Sequence, residues 1–182
     1  MMIRPWVGTN YEQGIDGKRV LLLGESNYDK ATVRDADYSD IVCENVRDCA
    51  INGRVRFFTK TAKLVLKAAG RERISRDDII DLWQRVLFTN YVPTVFASDR
   101  VRPSEDDWSL GRPALLQVLE THSPGVIVAL GLALGSRLDW LSDAAPAVKV
   151  AAVAHPSSFG FKYERWTPVV AGVLGHDVRA SG

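Results

Sequence analysis

The sequence predicts an α/β protein with a mainly parallel central sheet and helices on both of its faces. Four short apolar runs indicate strands buried on both faces, and helical segments separate them. Strands that alternate with helices predict a three-layer α/β/α arrangement, here around four strands. The runs are residues 18–23, 86–91, 126–130 and 148–154. The chain has 182 residues, the length of one domain, so residues 1–182 are assigned to a single domain.

The segments between these runs carry helix signals. Ser75 and Asp78 have the spacing of a capping box, and Pro113 suits the first position of a helix that extends to Leu119. A proline inside the last helix, Pro168, is expected to kink or shorten it. The other predicted helices are residues 41–69 with a break near Asn52, residues 132–141 and residues 163–174. Residues 25–40 and 93–111 are predicted to be loops.

Composition and charge exclude several classes of protein. The hydrophobic share of 46% and the charged share of 25% are typical of a soluble globular protein. A net charge of +1 argues against a protein that coats nucleic acid by bulk charge, although a local basic face remains open. Cys43 and Cys49 form no CxxC pair, so we expect neither a zinc nor an iron–sulfur site, and we expect a cytoplasmic protein. No apolar run is long enough to span a bilayer.

Polar residues follow the predicted strands at the points where they end. Glu25 follows the first strand, Asn90 ends the second, and His155 with Ser157 follows the fourth. Each alone has an ordinary structural explanation, as a solvated acid, a turn asparagine or a structural histidine. Right-handed crossovers bring the carboxyl ends of parallel strands to one edge, where open sheets bind ligands. We therefore expect a pocket that contains a carboxylate, a carboxamide and an imidazole.

These three groups suit the recognition of a planar base and the attack of water on its glycosidic bond. The Asn90 carboxamide can pair with the carbonyl and N–H edge of a pyrimidine such as uracil. His155 can stabilise negative charge on the departing base, and Glu25 can orient water and stabilise an oxocarbenium-like sugar. The chemistry needs neither a metal nor another cofactor.

Between residues 20 and 161 the chain resembles the uracil-DNA glycosylase superfamily. The main branch of that family has a G-Q-D-P-Y loop after its first strand and the iron–sulfur branch has G-E-A-P-G, where this chain has GESNY. Gly24 matches both branches, and Glu25 matches the acid of the iron–sulfur branch. Tyr28 matches the tyrosine that crowds C5 of the base and excludes thymine. The catalytic aspartate and the proline of the family are replaced by Ser26 and Asn27, so that activity would rest on Glu25 or Asp29, or be absent.

The resemblance also assigns roles beyond the first loop. Asn90 matches the asparagine that reads uracil, and His155 begins the second catalytic motif, whose histidine faces the uracil carbonyl. The family stacks the base on an aromatic ring, for which Phe57 or Phe58 is the candidate. In the main branch a leucine after the histidine inserts into the duplex as a wedge. This chain has Phe159 and Phe161 in the corresponding loop, and either is a candidate for that role. The four cluster-binding cysteines of the iron–sulfur branch are missing here.

The implied function is removal of uracil or a related deaminated base from DNA after base flipping. The expected phosphate-binding residues are Ser157, Ser158, Gly24 and Lys60. We expect a short DNA footprint, with single strands an open alternative, no membrane partner and a monomer. Two further readings stay open: an enzyme that acts on nucleotides or nucleosides on the same scaffold, and a catalytically silent nucleic-acid-binding module.

Overall fold

The computed structural model describes residues 3–29, 37–98 and 101–176. Seven strands occur in this part of the chain: β1 (Trp6–Val7), β2 (Val20–Gly24), β3 (Asn27–Tyr28), β4 (Val86–Asn90), β5 (Val95–Phe96), β6 (Val126–Leu130) and β7 (Lys149–Val153). Five of them form the central sheet in the order β1-β4-β2-β6-β7. The pairs among β4, β2, β6 and β7 are parallel, and β3 pairs with β5 in a separate two-stranded parallel ribbon.

The sheet has five strands rather than the expected four. The four predicted strands are confirmed, and β1 adds an antiparallel edge strand in which Trp6 lies opposite Phe88. The side chain of Trp6 is buried, and its indole N–H donates to the carbonyl of Trp83 at 2.7 Å. A strand of two residues is too short to show alternation, so the periodicity of the sequence did not indicate it.

The first helical segment breaks where the sequence indicates. The helices are α1 (Ile41–Asn45), α2 (Arg56–Ala68), α3 (Arg76–Arg85), α4 (Glu105–His122), α5 (Leu132–Gly135), α6 (Leu141–Ala144) and α7 (Tyr163–Leu174), and a π-helical segment, Val46–Asn52, follows α1 directly. Gly53 then leaves the helix in an extended conformation. Arg76 closes the π-helical end, because its Nη2 donates to the carbonyls of Ile51 and Gly53. Of the helices in the described ranges, none is long and apolar enough to cross a membrane.

Two helix predictions were wrong. Helix α4 begins at Glu105, not at Pro113, because Ser104 and Asp107 form a capping box that starts the helix eight residues earlier. Pro113 lies inside it. The single helix expected over residues 132–141 is two short helices instead. The hydroxyl of Ser136, the residue directly after α5, donates to the backbone carbonyl of Ala133, an interaction that competes with continued helix.

The start predicted for α3 and the bounds predicted for α7 were confirmed, but Pro168 does not shorten α7. Ser75 and Asp78 form the expected capping box at the start of α3. Helix α7 has the predicted bounds and keeps Pro168 in its interior. The segment expected to be a loop before Gly111 also contains β5 and the first residues of α4, and part of the first loop, residues 30–36, lies outside the described ranges.

Helices pack against both faces of the sheet. Leu22, Phe88 and Val128 point to one side, where they meet residues of α2, α3 and α7. Leu21 and Ile127 point to the other side and meet residues of α4, α5 and α6. The parallel register places Gly24 directly beside Asn90, so the carboxyl ends of β2 and β4 lie at the same level.

Candidate active site

The Asn90 carboxamide is fixed at the carboxyl ends of β2 and β4. Its Nδ2 donates to Oδ1 of Asn27 at 2.7 Å, and Asn27 is 3% exposed. Its Oδ1 lies so close to Gly24 that a β-carbon at residue 24 would collide with it. Gly24 is therefore required for space rather than for its backbone angles. One Nδ2 hydrogen is committed to Asn27, and the second hydrogen and the oxygen are the groups that can bind another molecule.

The loop after β2 is held by its own hydrogen bonds. Ser26 donates its hydroxyl proton to the Tyr28 oxygen at 2.8 Å. The backbone N–H groups of Tyr91 and Val92 donate to the carbonyls of Gly24 and Glu25, each at 2.9 Å. The Tyr28 ring lies 6.3 Å from that of Phe96, centroid to centroid. Ser26 and Asn27, the two departures from the family motif, thus use their side chains to fix the loop.

Glu25 is a largely covered carboxylate next to an arginine that the sequence did not indicate. Its side chain is 17% exposed, and Oε1 lies 3.6 Å from Nη1 of Arg102. The Arg102 side chain is 80% exposed. Residue 102 lies in a loop without periodicity, so nothing in the local sequence connects it with Glu25. The pair places one cation at the mouth of the candidate site.

His155 is stacked on Phe57 and keeps a defined tautomer. The two ring centroids are 5.1 Å apart and the rings are inclined by 27°. Nδ1 accepts a hydrogen bond from the backbone N–H of Ser157 at 3.2 Å. A neutral imidazole that accepts at Nδ1 carries its proton on Nε2. Partial burial of the ring, followed by the charge of Arg102, lowers the pKa of His155, although the residue as a whole is solvent-exposed. His155 is therefore a neutral Nε2–H donor at neutral pH.

The structure separates the two phenylalanines that were candidates for stacking on a base. Phe58 is buried and packs on Trp83 and Phe88, with ring centroids 5.2 and 5.9 Å away. Phe57 is half-buried, and its ring lies 6.3 Å from Phe88 in β4 and 5.1 Å from His155. Phe57 is thus the aromatic residue at the site, and it connects the end of β4 with the loop after β7.

Most of the expected phosphate ligands already have partners inside the protein. The N–H of Ser157 donates to His155 Nδ1, and the N–H of Ser158 donates to the His155 carbonyl at 2.8 Å. The Lys60 ammonium lies 5.1 Å from the centroid of the Phe161 ring, and burial lowers its pKa. A phosphate would have to compete with these contacts.

The loop after His155 ends in two aromatic residues with opposite environments. Phe161 is buried, packs edge-on against Tyr163 and lies beneath Lys60. Phe159 is fully exposed at the tip of the loop. Of these two candidates for a wedge, Phe159 is the one with a free side chain surface.

A cavity of about 510 Å³ opens beside the two asparagines. Asn27, Thr89 and Asn90 lie at the strand ends on one side of it, and the α4 side has both apolar and polar residues, namely Ala114, Leu115, Gln117, Val118, Thr121 and His122. This volume is in the range of small-molecule sites. Glu25 and His155 do not line this cavity, so the expected pocket with all three polar groups is not formed as one enclosure. Arg102 is the residue that interacts with both Glu25 and His155.

No family model and no curated protein matches this chain.

The chemistry of the site therefore has to be argued from its geometry. In the described ranges, no group of three or more His, Cys, Asp and Glu side chains is arranged to hold a metal ion. The arrangement provides a neutral hydrogen-bond donor at His155, a covered carboxylate at Glu25 and an amide pair at Asn27 and Asn90. Such groups can bind an uncharged polar ring and stabilise charge that develops when a bond to it breaks.

Proposed function

We propose that this protein hydrolyses the N-glycosidic bond of uracil or a related deaminated base in DNA, on a three-layer scaffold of the uracil-DNA glycosylase type. The observation that carries the proposal is the state of His155. Its imidazole is stacked on Phe57, accepts at Nδ1 and has a lowered pKa, so that it presents Nε2–H as a neutral donor. A donor of this kind stabilises an oxyanion without transferring its proton first.

The bond-breaking step follows from these groups. The bond between C1′ of the sugar and the base nitrogen breaks, and its electron pair leaves with the base as an anion. The Nε2–H of His155 stabilises the negative charge on a base carbonyl oxygen. Water adds to C1′ of the cationic sugar, and the proton that it loses completes the neutral base. The products are an abasic site and the free base.

Glu25 supplies the negative charge that the sugar cation requires. The equivalent of the family aspartate, Ser26, is bonded to Tyr28, and of the two nearby acids, Glu25 and Asp29, we assign this role to Glu25. Its carboxylate is 17% exposed and therefore acts at a lower effective dielectric constant than a fully solvated acid. A partly covered carboxylate stabilises a nearby cation more strongly and can orient the attacking water.

Base recognition is assigned to the amide pair and base extrusion to the exposed aromatic residue. Asn90 retains one N–H and its carbonyl oxygen, the complement of a lactam edge, and the bond to Asn27 fixes their orientation. Phe159 stands free at the tip of the loop that carries His155. An apolar side chain in this position can enter the space that a flipped base leaves behind.

A binding module without catalysis is the second candidate. The hydrogen bonds of Ser26 to Tyr28 and of Asn90 to Asn27 favour it, because they fix the loop and the residue in place of the family aspartate cannot act as a base. The two candidates share base recognition and differ in base release.

A strand-cleavage assay distinguishes them. Labelled oligonucleotides with one uracil, hypoxanthine or xanthine, single-stranded and in mismatched duplexes, are incubated with the protein and then treated with alkali to break abasic sites. We expect cleavage that falls in Glu25→Gln and in His155→Ala. Matched controls are Glu120→Gln on the surface of α4 and His176→Ala, whose ring bonds Asp16 near the end of α7. Catalysis by this site is refuted if both site variants cleave as well as the wild type. It is also refuted if the folded wild type binds a base but does not cleave.

A further inference from the structure

Nucleic acid that enters this site brings phosphate groups, and the expected phosphate ligands are engaged elsewhere. The N–H groups of Ser157 and Ser158 both bond His155, and Lys60 covers Phe161. Breaking the bond of the Ser157 N–H would also remove the hydrogen bond that orients the imidazole. A phosphate site that keeps His155 in place therefore needs another donor.

Arg102 has the geometry of such a donor. Its guanidinium is 80% exposed and lies 3.6 Å from a single carboxylate oxygen of Glu25. Close bidentate pairs of arginine with a carboxylate have distances of about 2.7–2.9 Å, so this contact is a loose one. It leaves most of the five N–H donors of Arg102 directed to solvent.

The exchange of Glu25 for a phosphate costs little. The guanidinium is 80% exposed and its contact with Glu25 is long, so Arg102 loses little when it leaves that carboxylate. A phosphate offers the guanidinium two oxygens in the bidentate arrangement that arginine prefers. Arg102 also acts on His155 through its charge, so a phosphate bound to it would be close enough to both residues to change their electrostatics.

We propose that Arg102 is the phosphate-binding residue of this site, and that it leaves Glu25 for a phosphate next to the sugar of the bound nucleotide. This inference rests on the proposed function, which gives the position of the bound nucleotide. It names the group that the site recognises in addition to the base. The shared chemistry is a phosphate on the sugar of the target, supplied by a DNA strand or by a free nucleotide. Departure of Arg102 leaves the Glu25 carboxylate without its cation, next to the position where the sugar cation forms.

Binding measurements with neutral and charged linkages test the inference. The probe is a labelled single-stranded oligonucleotide with one 2′-fluoro-deoxyuridine, in which the fluorine slows base release. A second version has methylphosphonate linkages on both sides of that nucleotide, which remove the two adjacent charges. A second arm compares deoxyuridine monophosphate with deoxyuridine. Each probe is titrated into the wild type, Arg102→Gln and the matched control Arg85→Gln, whose arginine pairs with Asp81 at the opposite end of β4.

Loss of one charge-assisted contact is expected to weaken binding of the charged oligonucleotide about tenfold in Arg102→Gln. Binding of the methylphosphonate version should not change in that variant, and Arg85→Gln should match the wild type with both. A third outcome is that neither oligonucleotide binds, while deoxyuridine monophosphate binds the wild type and binds Arg102→Gln more weakly. This outcome supports the phosphate role and refutes DNA as the substrate. The inference is overturned if Arg102→Gln weakens binding of the charged and the neutral probes equally, or weakens neither. It is also overturned if the folded wild type binds none of the probes.

Discussion

The Oδ1 atom of Asn90 occupies the space in which a side chain at Gly24 would begin. The two residues are register partners in neighbouring parallel strands, and the amide lies across the end of β2. Asn27 accepts from the other end of the same amide. The absence of a side chain at one strand end thus determines the position of a polar group at the next.

Gly24→Ala is expected to displace the Asn90 carboxamide and leave the fold intact. The added methyl group meets the end of a side chain that can rotate, and Gly24 does not have a positive φ. We expect base binding to fall by at least about tenfold, since a group that holds the base is misplaced. Titration with a uracil-containing oligonucleotide measures the effect, and thermal unfolding checks the fold. Gly125→Ala is the control, because a methyl group there meets nothing within 4 Å. Unchanged base binding in Gly24→Ala would remove Asn90 from the recognition of the base.

Phe57→Ala and Phe58→Ala are expected to affect different properties. Phe58 is buried among Trp83 and Phe88, so its truncation should lower the free energy of unfolding by about 3–5 kcal/mol. Phe57 is half-buried and stacks on His155, so its truncation should cost less stability and reduce base release more. Denaturant unfolding and the strand-cleavage assay together measure both. A Phe57→Ala protein with unchanged base release would show that the stack has no part in the function.

The strand ends could be predicted from the sequence because each central strand is a continuous apolar run that stops at a polar residue or glycine. The ends of the strands were expected to meet at one edge, and Gly24 and Asn90 lie side by side there, whereas Glu25 and His155 do not share the cavity of Asn90. Asn27 and Arg102 were not identified as site residues, because their contacts join segments far apart in the chain. The start of α4 was misplaced because Pro113 gave the more obvious signal, although Ser104 and Asp107 carried the same capping pattern that was recognised at Ser75.

Phe159→Ala is expected to weaken binding to duplex DNA that contains a target base and to leave stability unchanged. The side chain is fully exposed and its removal creates no cavity. Loss of a side chain that stacks between bases corresponds to about 1–3 kcal/mol, roughly 5- to 150-fold in affinity. Phe161→Ala should instead destabilise the protein, since Phe161 is buried next to Tyr163. Equal duplex affinities of Phe159→Ala and the wild type would refute a wedge role.

The pH dependence of base release is expected to report the lowered pKa of His155. Since burial, followed by Arg102, lowers this pKa from 6.5, the imidazole stays neutral as the pH falls through 6.5, and base release should decline only at lower pH. Between the lowered pKa of the folded protein and 6.5, the unfolded chain binds more protons than the folded one. The free energy of unfolding should therefore fall as the pH falls through this interval. Titration of the imidazole protons by NMR measures the pKa directly.

The variant Arg102→Gln provides a comparison for that titration. It should raise the pKa of His155 only in part, because burial is the larger cause and persists. A pKa above 6.5 in the wild type would contradict the assignment of a neutral donor.

The order of strands in the sheet has a consequence for synthesis on the ribosome. Val20 pairs with Val86 on one side and with Val126 on the other, so the central strand is made long before either of its neighbours. Its four consecutive apolar residues, Val20–Leu23, have no parallel partner until β4 has been translated, at residue 90 of 182. Parallel pairing over such separations is slow, and an unpaired apolar strand can associate with other chains. The nascent protein is therefore expected to depend on chaperones at the stage before β6 emerges.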